Sequence, residues 1–436
     1  MDDIPRRAGR RTAMLASVPL GMAGRAVGGW ARRMAGGTAE EINAELAARA
    51  AEQIFEVLGQ LKGGAMKLGQ ALSVFEAAVP DELAAPYREA LTKLQAEAPP
   101  MPADAVHAVL TEQLGASWRK RFAEFDDTPA AAASIGQVHR AIWHDGREVA
   151  VKVQYPGAKE ALLADLRQLR RFSRIVQPLM PAVAVKPLVA ELTDRMIEEL
   201  DYRAEADHQR AFAAGFRDDP HVFVPRVLAS APKVLVMEWV IGTPLAKVIA
   251  SGDQRTRDRF AWLFADFHYS SADRVERLHV DPHPGNYLLL GDGRLGVLDF
   301  GAVGRMPGGV PWTLGRILRL AVDGRPGELL DLLREENFVQ PGIDVRAEDV
   351  LRYLAPLVTP IQEETFHFTR DWLRAQAERM GDIRRPEFTI SRSINLPPQH
   401  LMLLRATGSS AAILCQLEAE VAMRGIFQER LNGFRE

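Results

Sequence analysis

Four short motifs occur in a fixed order along the chain and limit its fold more than any other feature. Ala131-Ala-Ala-Ser-Ile-Gly-Gln-Val138 comes first, and Val149-Ala-Val-Lys152 begins eleven residues after it ends. His279-Val-Asp-Pro-His-Pro-Gly-Asn286 and Asp299-Phe-Gly301 lie far downstream. The lysine and the oxygen-bearing side chains of these motifs can contact one metal-bound polyphosphate only if the fold brings the distant segments together.

Each motif matches a protein-kinase signature in spacing. The first has the spacing of G-x-G-x-x-G-x-V, with Ala131 and Ala133 replacing two glycines and Gly136 retaining the third. The second differs from V-A-I-K at one residue, the third keeps the Asp and Asn spacing of H-R-D-x-x-x-x-N, and the fourth is D-F-G. The ordered set predicts a phosphoryl-transfer site.

Phosphoryl transfer needs positioning and charge neutralisation more than covalent help, which gives each residue a role. Lys152 is expected to contact the α and β phosphates of ATP or ADP, Asn286 and Asp299 to hold Mg²⁺, and Asp281 to orient or deprotonate the attacking hydroxyl or water. Residues of the nucleotide loop are expected to cover the phosphates: Ala131, Ala132, Ala133, Ser134, Gly136 and Val138. On the kinase interpretation, Glu238 and Val240 bind adenine through their backbone.

Residue patterns around the motifs predict both helices and strands. The first hundred residues and 103–114 read as helical, and strands are predicted for 137–143 and 148–154 around a turn at His144-Asp-Gly146. Helices are predicted for 158–176 and 186–212, and strands for 223–228 and 233–239. The rest is predicted to be mostly helical, apart from 286–298.

The predicted fold class is α+β: a bilobal, protein kinase-like fold with a helical N-terminal extension. Residues 1–37 form a basic, partly apolar segment, and 38–120 form the extension. Residues 121–240 form an N-lobe with the nucleotide loop and inserted helices, and 241–436 form a mainly helical C-lobe. The nucleotide is expected between the lobes.

Charge and cysteine content narrow the partners and the compartment. The formal net charge is -3, which argues against binding nucleic acid. The single cysteine permits no internal disulfide, as is usual in a reducing cytoplasm.

Residues 1–36 contain seven arginines and two aspartates, a local charge of +5, around a twelve-residue apolar run. That run is too short to span a bilayer. The segment therefore predicts peripheral contact with anionic lipid or, alternatively, a frayed tail or an arm packed on its own domain.

With these motifs in view, the sequence resembles the UbiB family of atypical kinases, which includes mitochondrial proteins that support coenzyme Q synthesis. Lys67-Leu-Gly-Gln70 resembles the family's K-x-G-Q motif in the helical extension, Ala131-Ala-Ala-Ser134 its alanine-rich loop, and Glu199-Leu-Asp201 its E-x-D motif. The resemblance implies that Glu205 pairs with the motif lysine, and that Lys67 approaches Glu199 and Asp201 over the active site.

The resemblance implies an ATP-binding, Mg²⁺-dependent kinase-like ATPase that supports isoprenoid-quinone or other prenyl-lipid metabolism at a membrane. Expected partners are nucleotide, a lipid or prenyl-quinone-type small molecule, an anionic membrane surface and biosynthetic proteins. The expected location is cytoplasmic, peripheral on the inner face of the cell membrane, because no apolar hairpin follows residue 416.

Departures from conventional protein kinases affect the expected substrate. Val280 replaces the arginine of H-R-D, and no A-P-E follows Asp299-Phe-Gly301, so peptide phosphorylation is disfavoured. Alanine in the phosphate loop is expected to alter nucleotide preference or slow transfer. Two alternatives stay open: a small-molecule kinase of the choline or aminoglycoside type, whose H-G-D-x-x-x-x-N loop is similar, and a nucleotide-binding pseudokinase scaffold.

Overall fold

The computed structural model describes residues 100–133, 135–160, 162–163, 197, 200–339, 342–381, 385–391, 393–394 and 398–435. The chain divides into two compact units. The first runs to Asp201 and includes Ala231–Val234; the second contains Tyr202–Ser230 and continues from Leu235. The predicted division of the chain into four parts stays a prediction, and its segment 1–37 lies outside the described residues.

The described helices are α1 Ala103–Leu114, α2 Tyr202–Gly215, α3 Leu245–Ser251, α4 Gln254–Val275, α5 Trp312–Val322, α6 Pro326–Glu335, α7 Ala347–Val358, α8 Arg370–Gly381, α9 Pro386–Ser391, α10 Pro398–Leu417, α11 Met423–Arg430 and α12 Asn432–Arg435. The described strands are β1 Phe122–Ala133, β2 Gly136–Trp143, β3 Glu148–Gln154, β4 Val222–Phe223, β5 Val227–Ala231, β6 Val234–Glu238, β7 Gly242–Pro244, β8 Arg277–His279, β9 Tyr287–Leu290, β10 Leu295–Val297, β11 Val303–Arg305, β12 Phe366–His367 and β13 Glu420–Val421. Single 3₁₀ turns occupy Trp118–Arg121, Pro284–Asn286 and Thr359–Ile361.

In the first unit, β1, β2 and β3 form an antiparallel meander. The predictions of α1, of strands over 137–143 and 148–154, and of a turn between these strands are confirmed. Gly146 adopts a φ of 88° in this turn and donates its N–H to the carbonyl of Trp143. Strand β3 is buried at every residue after Glu148, which places Lys152 in an apolar setting.

Gly136 begins β2 where no side chain fits. A Cβ at this position would lie 2.2 Å from the carbonyl oxygen of Val153 on β3. Real Cβ atoms do not approach an oxygen so closely, so any larger residue must separate the two strands. The third glycine of the motif is therefore required by packing within the hairpin itself.

Helix α4 is the centre of the second unit's core. Asp253 caps its N-terminus by accepting the N–H of Thr256 at 2.7 Å. Phe260, Phe264 and Phe267 recur at helical spacing and are fully buried. A second apolar cluster covers α5, α6 and α7, where Leu329 and Val350 are fully buried.

Helix α4 also buries a histidine among its aromatic residues. His268 donates its Nδ1–H to the carbonyl of Phe264 at 2.9 Å, and its Nε2 is buried with no hydrogen-bond partner. Burial is the first cause that lowers the pKa of His268, to about 3, and the neighbouring His279 lowers it further. The ring is therefore neutral over the pH range in which an exposed histidine titrates.

Short strands frame the loops that carry the downstream motifs. Strands β4, β10, β9 and β7 form a four-stranded sheet in that order, with β9 and β10 joined as a hairpin. Strands β8 and β11 pair antiparallel, with His279 opposite Val303. The segment between β8 and β11 is thus closed at its base and carries both motifs.

Several predicted elements are wrong in detail. The helix predicted over 186–212 is interrupted, since Leu200 lies in a turn and α2 begins at Tyr202 and continues to Gly215. The strand predicted over 223–228 is two strands separated by 224–226, where Pro225 offers no N–H to a sheet. The mostly helical prediction after 240 missed β7, β8, β11, β12 and β13.

No described helix combines the length and the apolar character needed to cross a bilayer.

Replacing Gly136 by alanine should destabilise the protein by about 1–3 kcal/mol, because the added methyl forces β2 away from β3. Gly327 in α6 is the matched control: a Cβ there meets no atom within 4 Å, and Gly327→Ala should be neutral or stabilise by up to about 1 kcal/mol. Urea denaturation measures both. A Gly136→Ala variant as stable as the wild type would disprove the steric argument.

The buried His268 should make stability fall in mild acid. An unfolded histidine has a pKa near 6.5, so between about pH 6.5 and 3 the unfolded chain binds a proton that folded His268 does not. The free energy of unfolding therefore falls as the pH falls through this window. Between pH 7 and 5, the wild type should lose about 2 kcal/mol more than His268→Gln.

Urea unfolding at the two pH values gives this difference. His144→Gln removes an exposed histidine and should retain the wild-type loss. Equal losses for wild type and His268→Gln would show that His268 is not a buried neutral base.

Candidate functional site

The loop that follows β8 fixes its own shape through backbone hydrogen bonds. The carbonyl of Asp281 accepts the N–H of His283 at 2.8 Å and the side-chain Nδ2–H of Asn286 at 3.0 Å. The amide of Asn286 is thereby oriented, with its nitrogen turned to the loop. The two residues that the sequence assigns to proton handling and metal binding are thus joined by a direct hydrogen bond.

His283 braces the same loop. Its Nδ1 accepts the N–H of Gly285 at 3.1 Å, which caps the 3₁₀ turn Pro284–Asn286. Asn286 donates its N–H to the carbonyl of His283 and accepts the N–H of Leu298. The backbone of Asn286 is therefore held by both the loop and the segment that leads to Asp299.

Asp299 follows β10 and begins a tight turn. Its Oδ1 accepts the N–H of Gly301 at 2.9 Å, which orients the carboxylate. Phe300 is fully buried with its ring centroid 4.9 Å from that of Phe212, and its carbonyl faces Nδ1 of His208 at 3.3 Å. The aromatic anchor in the core leaves Asp299 half-buried at the edge of the fold.

His279 links the two motif loops. It is fully buried and donates its Nε2–H to the carbonyl of Asp299 at 2.7 Å. Its Nδ1 lies 3.1 Å from the hydroxyl of Tyr287, the residue after Asn286. The loop bearing Asp281 and the turn bearing Asp299 are thereby hydrogen-bonded through one imidazole.

Both carboxylates act on the same buried hydroxyl. Burial raises the pKa of Tyr287 well above its ordinary value, and the negative charges of Asp281 and Asp299 raise it further. Hydrogen bonds through His279 and Tyr287 therefore bring the Asp281–Asn286 loop and the Asp299 turn together within the second unit.

The donor set at this place suits a hard divalent cation. The Asn286 amide and the Asp299 carboxylate supply oxygen ligands, which Mg²⁺ prefers, and substrate phosphates and water usually complete its shell. Among the described residues no group of three or more His, Cys, Asp or Glu could hold a metal ion.

In the first unit, the meander aligns the alanine motif with the motif lysine. Ala131 lies opposite Val138, and Val138 lies opposite Lys152, so the three occupy one row across the sheet. Lys152 is only 7% exposed. The phosphate-loop hairpin and its lysine are thus neighbours, as the sequence predicts.

The alanine motif is mostly strand rather than loop. Ala131, Ala132 and Ala133 are paired residues of β1, opposite Val138, Gln137 and Gly136. Strand β1 ends at Ala133 and β2 begins at Gly136. Ser134, between them, lies outside the described residues. The alanines that the motif places in a loop therefore lie on β1, with Ala131 and Ala132 exposed.

The acidic residues near α2 have different settings. Glu205 is in the first turn and only 4% exposed. Asp201 directly precedes the helix. Glu199, Lys67 and Gln70 lie outside the described residues.

Glu238 and Val240 lie where β6 ends. Glu238 donates its N–H to the carbonyl of Arg226 at 3.0 Å, and its Oε2 accepts the N–H of Arg226 at 2.9 Å. Val240 follows in an irregular, half-buried stretch before β7.

Sequence reasoning missed Tyr287 and His268. Tyr287 follows the motif asparagine directly, and an aromatic hydroxyl at that position was the available signal. His268 gave no signal, because a histidine on an aromatic helix face reads as core. Asp219, which accepts two backbone N–H groups and pairs with Arg274, was also not identified.

The model of the ABC1 atypical kinase-like domain matches residues 93–324. Atypical kinase coq-8, mitochondrial, of Caenorhabditis elegans is 28% identical over 391 residues, which are 87% of this chain and 50% of that protein. Atypical kinase COQ8B, mitochondrial, of Danio rerio is 26% identical over 436 residues, 98% of this chain and 68% of that protein. This chain thus spans about half to two thirds of the length of these relatives.

A solved structure from Mycobacterium tuberculosis, described as the complex of Rv3197 with erythromycin, is 49% identical and superposes with a TM-score of 0.71. It covers 92% of this chain and 100% of its own. The predicted α+β kinase-like fold is confirmed, and the domain is of the phosphotransferase type. Since the domain match extends over more than half of the sequence, the chain belongs to the family of ABC1 atypical kinase-like proteins.

Proposed function

We propose that the protein binds ATP and hydrolyses or transfers its terminal phosphate with Mg²⁺. The observation that carries this proposal is the hydrogen-bonded set around His279, which holds Asp281, Asn286 and Asp299 together. The oriented Asn286 amide and the oriented Asp299 carboxylate offer oxygen atoms of the kind that Mg²⁺ prefers.

Asn286 and Asp299 would hold the metal ion. The nitrogen of the Asn286 amide is committed to the Asp281 carbonyl, so its oxygen is the atom offered to a cation. The N–H of Gly301 sets the direction of the Asp299 carboxylate. Mg²⁺, when bound, neutralises charge on the phosphate oxygens.

Asp281 would accept the proton of the attacking hydroxyl or water, or orient that group. Its backbone is fixed by two donors, so its carboxylate is presented from a rigid loop. Lys152 would contact the α and β phosphates, with Glu205 orienting its ammonium. The hairpin end would cover the phosphates, with Ala131, Ala132, Ala133, Ser134, Gly136 and Val138, and the backbone of Glu238 and Val240 would bind adenine.

Hydrolysis is a better-supported activity than peptide phosphorylation. Val280 occupies the arginine position of H-R-D and is 6% exposed, within the apolar core of the second unit. An apolar side chain cannot pair with a phosphorylated activation segment. The loop is therefore set by packing, which suits a constitutive nucleotide cycle.

The proposed role is support of isoprenoid-quinone or other prenyl-lipid metabolism, peripheral on the inner face of the membrane. The family resemblance and the arginine-rich residues 1–36 support this role. Lys67, Gln70, Glu199 and Asp201 would couple nucleotide state to a lipid or a protein partner.

Asp299→Asn should lower ATP turnover by about 100-fold or more, because it removes a metal ligand's charge at the reacting phosphate. Turnover is measured as phosphate release from the full chain with Mg²⁺, with and without vesicles of anionic phospholipid. Asp292→Asn is the matched control: it makes the same change in the exposed β9–β10 turn, where Asp292 pairs with Arg294. It should turn over like the wild type.

Asp281→Asn should also abolish turnover, whereas Lys67→Ala should alter its response to vesicles. Equal turnover of wild type and Asp299→Asn would refute the catalytic mechanism. If the wild type and Asp299→Asn both bind nucleotide and neither turns it over, the pseudokinase alternative is supported.

Similarity to the erythromycin complex supports a second candidate, binding of a macrolide-like hydroxylated macrocycle. With the small-molecule-kinase alternative, this gives a specific acceptor to test. Erythromycin should bind the full chain in calorimetric titration, and mass spectrometry shows whether a phosphorylated product forms with ATP. Stoichiometric phosphoerythromycin, lost in Asp281→Asn, would favour the small-molecule kinase; absence of binding would exclude this candidate.

A further inference from the structure

One aromatic residue is connected to both expected metal ligands. Tyr287 is joined to Asn286 by a peptide bond, and its hydroxyl lies 3.1 Å from Nδ1 of His279, which in turn contacts the carbonyl of Asp299 at 2.7 Å. We propose that Tyr287 is a positioning residue that sets the spacing of Asn286 and Asp299. The inference rests on the proposed function for its catalytic meaning.

The directions of the two hydrogen bonds follow from their chemistry. A carbonyl oxygen only accepts, so Nε2 of His279 carries a proton and donates it to Asp299, and in a neutral imidazole Nδ1 then carries none. Nδ1 is then a bare acceptor, and the hydroxyl of Tyr287 donates to it. The chain of donors therefore runs in one direction, from Tyr287 through His279 to the backbone of Asp299.

The hydrogen bond between Tyr287 and His279 is costly to lose because its surroundings are buried and apolar. Tyr287 and His279 are fully buried, and the rings of Phe267 and Phe300 lie with their centroids 6.1 Å and 5.7 Å from that of His279. No water replaces a lost donor in such a site, and the energetic cost of an unpaired buried acceptor is high. Without the hydroxyl, the imidazole loses one of the contacts that distinguish its orientation from the flipped one.

A flipped imidazole would carry carbon where Nε2 now meets Asp299. The Gly301 N–H would still orient the carboxylate, but the backbone carbonyl on which that turn is anchored would lose its donor. Asp299 would then shift relative to Asn286, whose own position is held by the Asp281 carbonyl. The affinity for the metal ion should fall more than the affinity for nucleotide, because only the spacing of the metal ligands changes.

Tyr287→Phe removes the hydroxyl and keeps the ring. Tyr269→Phe is the matched control, since Tyr269 is also buried, lies on α4, packs against Phe427 and hydrogen-bonds Thr407. Both variants lose one buried hydroxyl, so a general loss of stability is common to both. Mn²⁺ binding to the full chain with a non-hydrolysable ATP analogue is measured by electron paramagnetic resonance, and the Mg²⁺ dependence of ATP turnover is measured in parallel.

In Tyr287→Phe, the dissociation constant for Mn²⁺ and the half-saturating Mg²⁺ concentration should both rise about tenfold. Metal-free nucleotide affinity should stay unchanged, and Tyr269→Phe should resemble the wild type in all three. The two-bond proton–nitrogen spectrum of ¹⁵N-histidine protein, assigned with His279→Gln, should show His279 Nδ1 as a hydrogen-bonded acceptor that shifts only in Tyr287→Phe.

Two results would overturn the inference: equal metal affinity in Tyr287→Phe and Tyr269→Phe, or a His279 spectrum that Tyr287→Phe does not change. A wild type that fails to exceed Asp299→Asn in turnover refutes the proposed function instead. The Mn²⁺ and histidine measurements still decide the role of Tyr287 in that case, because neither requires hydrolysis.

Discussion

The hydrogen bond from His279 to the carbonyl of Asp299 is the contact on which the site depends. It joins two segments that the chain separates by the whole β9–β10 hairpin. The β8–β11 pair closes the same region at its base, and the N–H of Val280 extends it by donating to the carbonyl of Ala302. Because backbone geometry is constrained from both sides, the carboxylates are presented in fixed positions before any ligand arrives.

The site is rigid because its supports are apolar. Phe300 anchors the turn in the core, Val280 fills the position of an arginine, and His279 is fully buried between aromatic rings. A charged arginine at residue 280 would need a partner charge and could respond to one. Valine is held by packing alone. The loop is therefore fixed in position and does not respond to a nearby charge.

Sequence patterns predicted the elements that long local patterns define. They missed the short elements whose formation depends on contacts between distant segments. Strands β2 and β3 were predictable, because their alternation is long and a turn sequence separates them. Strands β8 and β11 are three residues each, and their pairing depends on contacts across the intervening loops. The predicted helix over 186–212 continued through Leu200 because no glycine or proline marks the turn there.

The same distinction holds within the site. Asp281, Asn286 and Asp299 could be proposed from the sequence, because phosphoryl transfer requires those side chains at that spacing. The bond of Tyr287 to His279 could not, because β8 and β9 belong to different sheets and these two side chains meet only through tertiary packing. Lys67 and Gln70 were assigned by resemblance alone and stay predictions.

The first motif retains glycine where packing excludes a Cβ and has alanine where a Cβ fits. Gly136 has no space for a Cβ, because β3 passes within contact distance, and here the sequence retains glycine. The replaced glycines are Ala131, which is exposed, and Ala133, which is half-buried, and both lie on the extended backbone of β1, which alanine adopts without strain. The two alanines therefore leave the folding of the hairpin intact, and under the proposed function their methyl groups would act on the bound phosphate.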